Sequence, residues 1–206
     1  RIDEIQTDDI AYVNTALLGI RALATNQLSG SMPNFQVDVK GRKVLCPYVT
    51  YLGAPIAWDD YYWDPNEEAY RLFEDDTILD WDGETYTEQY CANPIWCLRD
   101  LLTNTRYGMG QYIDTSNLDA SKLLTMSQYC ETLVPDGDGG YEKRFRMDVV
   151  IDSHSKAFDV LTQLCAAFNA FPVYSGGKIG FVIDKPEDIV QVFGRGNIKP
   201  DSFTQV

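Results

Sequence analysis

Asn93 to Asp114 (NPIWCLRDLLTNTRYGMGQYID) leaves the backbone fewer choices than any other part of the chain. Asn93 is a helix cap, and Pro94 stands at the first helical position, where a missing N–H costs nothing. Ile95, Leu98 and Leu102 recur at spacings of three and four, one apolar stripe about two turns long. The pattern stops in Thr103-Asn104-Thr105, and Arg106-Tyr107-Gly108-Met109-Gly110 follows as a glycine-paired turn. The stretch predicts a short helix docked by one face, then a tightly bent connection.

The 206 residues suit one large domain or two small ones. No apolar run approaches the roughly 18–20 residues of a membrane-spanning helix. The chain opens at Arg1 and closes at Val206, just after the strand-like Ser202-Phe203-Thr204, so a fragment of a longer protein is expected. A net charge of −14 argues against nucleic acid or an acidic membrane as an attractive partner, and no stable nucleic-acid binding is expected. Much of it is local: Asp59 to Glu88 holds twelve acids, among them Asp59, Asp60, Asp75 and Asp76, against the single base Arg71. These four are the candidate acidic surface. The five cysteines include no CxxC pair, and Cys97, Cys130 and Cys165 fall on or beside apolar helix faces, so buried free thiols in a reduced, cytoplasmically made chain are expected.

Phe35, Val37 and Val39 alternate with polar residues, and Val44-Leu45-Cys46 follow Gly41, both strand patterns. Tyr12 to Ala24 fits either strand or helix, and residues 28–33 read as a loop. Residues 47–92 have no sustained period. They combine the acids with eleven aromatic rings, Trp58, Trp63 and Trp81 among them, and with turns at Asp64-Pro65-Asn66 and Trp81-Asp82-Gly83. So many rings predict an excursion packed on itself, on the rest of the domain or on a neighbour. A second helix, capped by Asp119, has the stripe Leu123, Met126, Cys130 and Leu133 and ends at Pro135. Residues 136–140 form a loop, and Phe145, Met147, Val149 and Ile151 alternate as a half-buried strand. A third helix, capped by Ser153 or Ser155, carries Ala157, Leu161, Leu164, Cys165 and Phe168 up to Pro172, and a hairpin turns at Gly176-Gly177. The fold class is α+β, with a strand–helix–strand–strand unit at the end. The division expected is a strand-rich part over 1–92 and an α+β part over 93–206.

No catalytic residue, metal ligand or cofactor site is assigned. His154, the one histidine, has no nucleophile elbow nearby, and Ser153 and Ser155 are better read as caps. Zinc needs clustered Cys or His. Asp136-Gly-Asp138 lacks the closing Glu of a calcium loop. Gly194-Arg-Gly196 fits no phosphate loop. The strongest enzymatic alternative places two carboxylates of the acidic–aromatic stretch beside rings that stack on sugars, as a glycan-binding or glycan-hydrolysing module. Against it, acids without partner bases mark solvated or channel-facing surface, and aromatics mark interfaces.

The spelling of the central stretch resembles a known signature. Asn93, Pro94 and Trp96, then Asp100-Leu101-Leu102 with Asn104, then Arg106-Tyr107-Gly108, are similar to the tail-tip attachment, host-specificity or central hub proteins of long-tailed non-contractile phages. Other blocks agree in the same order: residues 12–20 (YVNTALLGI, with Val13 for a usual proline), Val39-Lys40-Gly41, Trp81-Asp82-Gly83, residues 133–145 from Leu-Val-Pro-Asp-Gly to Arg144-Phe145, and residues 157–178. Residues 47–80 resemble little in that family. The resemblance implies small mixed-sheet, barrel-like hub domains with a helical insertion, in a virion structural protein without enzymatic activity. It further implies a homotrimeric ring that closes the tail tube, meets other tail-tip and tape-measure proteins, and serves host attachment and genome delivery. The family's receptor-binding part is not represented, so the host surface is met only indirectly. Trp58, Trp63 and Trp81 are the candidate interface anchors.

Overall fold

The computed structural model describes residues 18–19, 36–37, 39–151 and 155–187. The chain divides into two compact units, 1–39 and 40–206, and every element below lies in the second. The readings made for residues 12–24 and 28–33, for Phe35, Ser153 and His154, and for 194–196 and 202–204 fall outside the described residues. Val37 and Val39, expected in a strand, are exposed and outside any element.

In chain order the elements are β1 (Lys43–Pro47), β2 (Thr50–Tyr51), β3 (Ala54–Pro55), β4 (Tyr61–Asp64), β5 (Ala69–Leu72), β6 (Tyr86–Tyr90), α1 (Pro94–Thr103), α2 (Ala120–Glu131), β7 (Leu133–Pro135), β8 (Tyr141–Lys143), α3 (Ala157–Ala166), β9 (Ala170–Ser175) and β10 (Lys178–Ile183). The mixed α+β class holds. The sheets, however, are five separate antiparallel pairs, β1–β6, β2–β3, β4–β5, β7–β8 and β9–β10, and the described residues form no closed barrel. Residues 47–92 explain this: Asp64-Pro65-Asn66, Asp75 and Trp81-Asp82-Gly83 break the chain into hairpins too short to wrap a sheet. The Asp64 carboxylate accepts from the Asn66 N–H at 2.9 Å, and Asp82 accepts from the Glu84 and Thr85 N–H groups at 2.9 and 2.7 Å.

Two cores result. Ile95, Leu98 and Leu102 of α1 pack with Leu123 and Cys130 of α2, with Leu161, Leu164 and Phe168 at α3, and with Phe181 and Ile183 of β10. The second core holds Val44, Cys46, Trp58, Tyr61, Tyr70, Leu79 and Cys91. Trp96, on the opposite face of α1, enters this second core. The helix that opens the expected 93–206 part therefore feeds both cores. The rings of the acidic stretch pack on themselves and on the domain: Trp63 on Tyr70 at 4.9 Å, Tyr70 on Trp81 at 5.7 Å, Trp81 on Tyr86 at 6.1 Å and Tyr86 on Trp96 at 5.5 Å, all edge to face.

Several boundaries move. α2 ends at Glu131, four residues before Pro135, and Leu133 belongs to β7. α3 ends at Ala166, and Pro172 lies inside β9. Asn169, at φ 53°, makes the reversal between them, a left-handed conformation that asparagine tolerates. Lys156, rather than Ser155, occupies the cap position of α3, without a side-chain bond. Residues 145–151 form no strand: Met147 donates to the Ala92 carbonyl at 2.8 Å, but Val149 to Ile151 are exposed. The hairpin of β9 and β10 forms as expected around Gly176 and Gly177, with Ser175 opposite Lys178. All five cysteines are free thiols, four of them buried.

Candidate functional site

The Asn93–Gly110 stretch is locked at both ends. At its start the Asn93 carboxamide oxygen accepts from the Ile95 N–H at 3.0 Å, the expected cap. The rest of that side chain is fully buried and points inward. Its Nδ2 donates to the Ser127 carbonyl at 2.9 Å and to Glu131 Oε1 at 2.8 Å. Trp58 Nε1 donates to the same Glu131 oxygen at 2.7 Å. Lys143 completes the group, with Nζ donating to the Trp58 carbonyl and lying 3.4 Å from the Trp58 ring centroid. Burial pushes the Glu131 carboxyl up, against the pull of Lys143 and its two donors. Burial likewise pushes the Lys143 ammonium down to about 8, with Glu131 opposing. This is a buried carboxylate–ammonium node joining the acidic stretch, α1, α2 and β8. Neither Glu131 nor Lys143 stands out in the sequence. The available signal was a glutamate completing the inward line Leu123, Ser127, Glu131 at spacings of four.

At its other end the glycine-paired turn folds back over the α1 carbonyls. Met109 donates to the Leu101 carbonyl at 2.9 Å, and Gly108 and Gly110 both donate to that of Asn104 at 3.1 Å. These N–H groups fill the role that helix termini leave open. A Cβ on Gly108 would stand 2.1 Å from the Leu101 oxygen, and one on Gly110 would stand 2.1 Å from the Thr103 oxygen. Glycine is required here by close approach of backbone to backbone. The Asn104 side chain accepts from the Arg106 N–H at 3.0 Å. Tyr107 donates its hydroxyl to the Asp100 carboxylate and takes the Arg42 guanidinium on its ring face at 4.0 Å. Burial first, then that carboxylate, pushes the Tyr107 hydroxyl well up.

The tryptophans separate. Trp58 is 1% exposed, so it is a core residue and not an interface anchor: its indole is held by Glu131 and Lys143. Trp63 and Trp81 are half-buried along the ring chain. The four acids also divide. Burial raises the Asp59 carboxyl, but Lys40 at 3.0 Å and Arg146 at 3.1 Å outweigh it and hold it low, the opposite of what a general acid needs. Asp75 accepts from the Thr77 N–H at 3.1 Å, and Asp76 from the Tyr62 hydroxyl at 2.8 Å, so both serve turn geometry on an exposed surface. Asp60 is exposed beside them. With Ile56, Leu72 and Phe73, the carboxyl-bearing Asp59, Asp60 and Glu74 line a hollow of about 450 Å³. Among the described residues no three Asp, Glu, His or Cys side chains converge as metal ligands.

No protein-family profile matches the chain. Curated relatives do. It is 38% identical over 123 residues, 60% of its length, to the tip attachment protein J of Escherichia phage SECphi27. It is 32% identical over 185 residues, 90% of its length, to the tip attachment protein J of Escherichia phage SECphi4. Those matches span only 10% and 14% of the two relatives. Over nine-tenths of its length, then, the chain is related to the phage tip attachment proteins J, matching one short segment of those longer proteins.

Proposed function

We propose that this chain is a structural segment of a phage tail tip and works by assembly rather than catalysis. The observation that carries the reading is the likeness to tip attachment proteins across nearly the whole chain, at identities that do not depend on one motif. The use made of the Asn93–Gly110 residues agrees with it. They cap, clamp and bridge the fold. In this reading the protein sits in the virion after synthesis in the bacterial cytoplasm. Three copies form a ring that closes the tail tube and contacts tape-measure and other tail-tip proteins. The exposed acids of residues 60–88 face the channel or the outer solvent, where carboxylates repel passing DNA instead of holding it. Electron microscopy of tails labelled with an antibody against residues 40–187 tests the placement. Label at the distal tip is the expected result, and label elsewhere, or none on intact particles, defeats it.

A further inference from the structure

Residues 148–151 are unfinished. Their alternation with Phe145 and Met147 suits a strand, yet none of their backbone groups bonds to the backbone of another described residue. Val149, Val150 and Ile151 are consecutive, apolar and 55%, 86% and 50% exposed. A groove of about 650 Å³ lies between them and Tyr107, Gly108 and Met109. A second hollow of about 330 Å³, which they also line, reaches Gln163 and Ala167. A strand laid here meets a row of main-chain donors and acceptors, with two hollows beside it for side chains. That is the chemistry of strand addition.

The β9–β10 hairpin is unfinished in the complementary sense. Two strands alone are marginal. One face, with Ala170, Phe181 and Ile183, is buried in the core, but the other exposes Phe171, Val173 and Val182 at 63%, 39% and 52%. The outer edge of β10 meets Leu118 at Ile179, whereas that of β9 has no strand partner among the described residues. Pro172 removes one donor from the β9 edge, leaving its carbonyls and the Tyr174 N–H to pair. Charge selects the occupant. On a chain of net charge −14, most surfaces of two copies would set carboxylates against carboxylates, yet no acid falls between Asp159 and Asp184, and the one acid of 148–151, Asp148, is paired with Arg146 at 2.6 Å.

We propose that residues 148–151 of one copy add as a third strand to the β9–β10 hairpin of a second copy, covering its Phe171–Val182 face. The inference rests on the tail-tip reading for its setting. Because the two surfaces are different parts of one chain, the contact is heterologous, and a pair keeps one free end of each kind for the next copy, as a ring requires.

The test is the full-length protein carrying p-benzoylphenylalanine in place of Val150, irradiated both purified and in particles. The expected product is an adduct of twice the protomer mass whose cross-linked peptide lies within 170–183 of the second copy. A cross-link inside one copy, to a different protein, or elsewhere on the second copy overturns the proposal, as does the absence of any adduct. Mass spectrometry of the particles reads the tail-tip assignment separately: protein present without the adduct defeats only the strand addition. Val150→Lys and Phe171→Lys should each weaken self-association about tenfold, while Tyr112→Lys, at an equally exposed position (88%), leaves it unchanged.

Discussion

Gly108 and Gly110 carry the sharpest demand any side-chain position makes on this fold. Neither has a positive φ, so alanine meets no torsional objection, only the Leu101 and Thr103 oxygens at 2.1 Å. Backbone cannot give way as a flexible side chain does. Gly108→Ala and Gly110→Ala should therefore each destabilise by about 3 kcal/mol, read as a lower urea midpoint at unchanged slope. Gly41, with open space around it, should accept alanine with little change. Lys143 makes a second demand, through pH. Its folded value of about 8 lies below the 10.5 of an unfolded lysine. Below pH 8 both states hold the proton. Between the two values the unfolded chain keeps a proton that the folded chain has released, so this group's contribution to stability rises with pH. The stability difference between the native chain and Lys143→Met should accordingly shift in favour of the native lysine from pH 8 to 9.5. Guanidinium unfolding at each pH measures it, and the variant as reference cancels the tyrosines that begin to titrate above.

The helices were the most legible elements, because each announces itself by a cap and a stripe. Asn93 with Ile95, Leu98 and Leu102, and Asp119 with Leu123 and Cys130, need only local rules, and the structure uses them so. Helix ends were less legible. Pro135 and Pro172 were natural stops, but tertiary pairing ended α2 and α3 earlier by drawing Leu133 and Ala170 into strands. The strand over 145–151 failed for a related reason: alternation states which residues suit a sheet and is silent on whether a neighbour exists. The buried node was illegible because its members lie 73 residues apart at Trp58 and Glu131 and 85 apart at Trp58 and Lys143. Asn93 belongs to both kinds of signal, and its substitutions separate them. Asn93→Ser keeps an oxygen for the Ile95 N–H and loses the donors to Glu131 and Ser127. Asn93→Asp keeps the oxygen too, but sets a second carboxylate against Glu131 in a fully buried site. Thermal unfolding should rank native above serine and serine above aspartate, with aspartate about 3–5 kcal/mol below native. A purely local cap would put aspartate level with asparagine.

Over the chain as a whole, the acidic stretch works in two ways that pull apart on substitution. Asp59 is paired, Asp64 meets Arg71 at 2.9 Å, and Asp75, Asp76 and Asp82 bond within turns or hairpins, so these carboxylates hold geometry. Glu68, Glu74 and Glu84 are exposed, and among the described residues they make no ion pair and no side-chain hydrogen bond. They can change sign without touching the fold. In a channel wall they keep a polyanion from adhering; three lysines in their place would neutralise phosphates and release counterions, a binding term that steepens as salt falls. The triple variant Glu68→Lys, Glu74→Lys, Glu84→Lys should therefore keep the native thermal midpoint within about 2 °C. Phages assembled with it should eject DNA more slowly at 50 mM salt and recover toward the native rate at 200 mM. Fluorescent-dye ejection kinetics read both arms on the same particles. An ejection rate indifferent to both the substitutions and the salt would place these carboxylates on the outer surface, where their charge bears on solubility and on the neighbours the tip excludes.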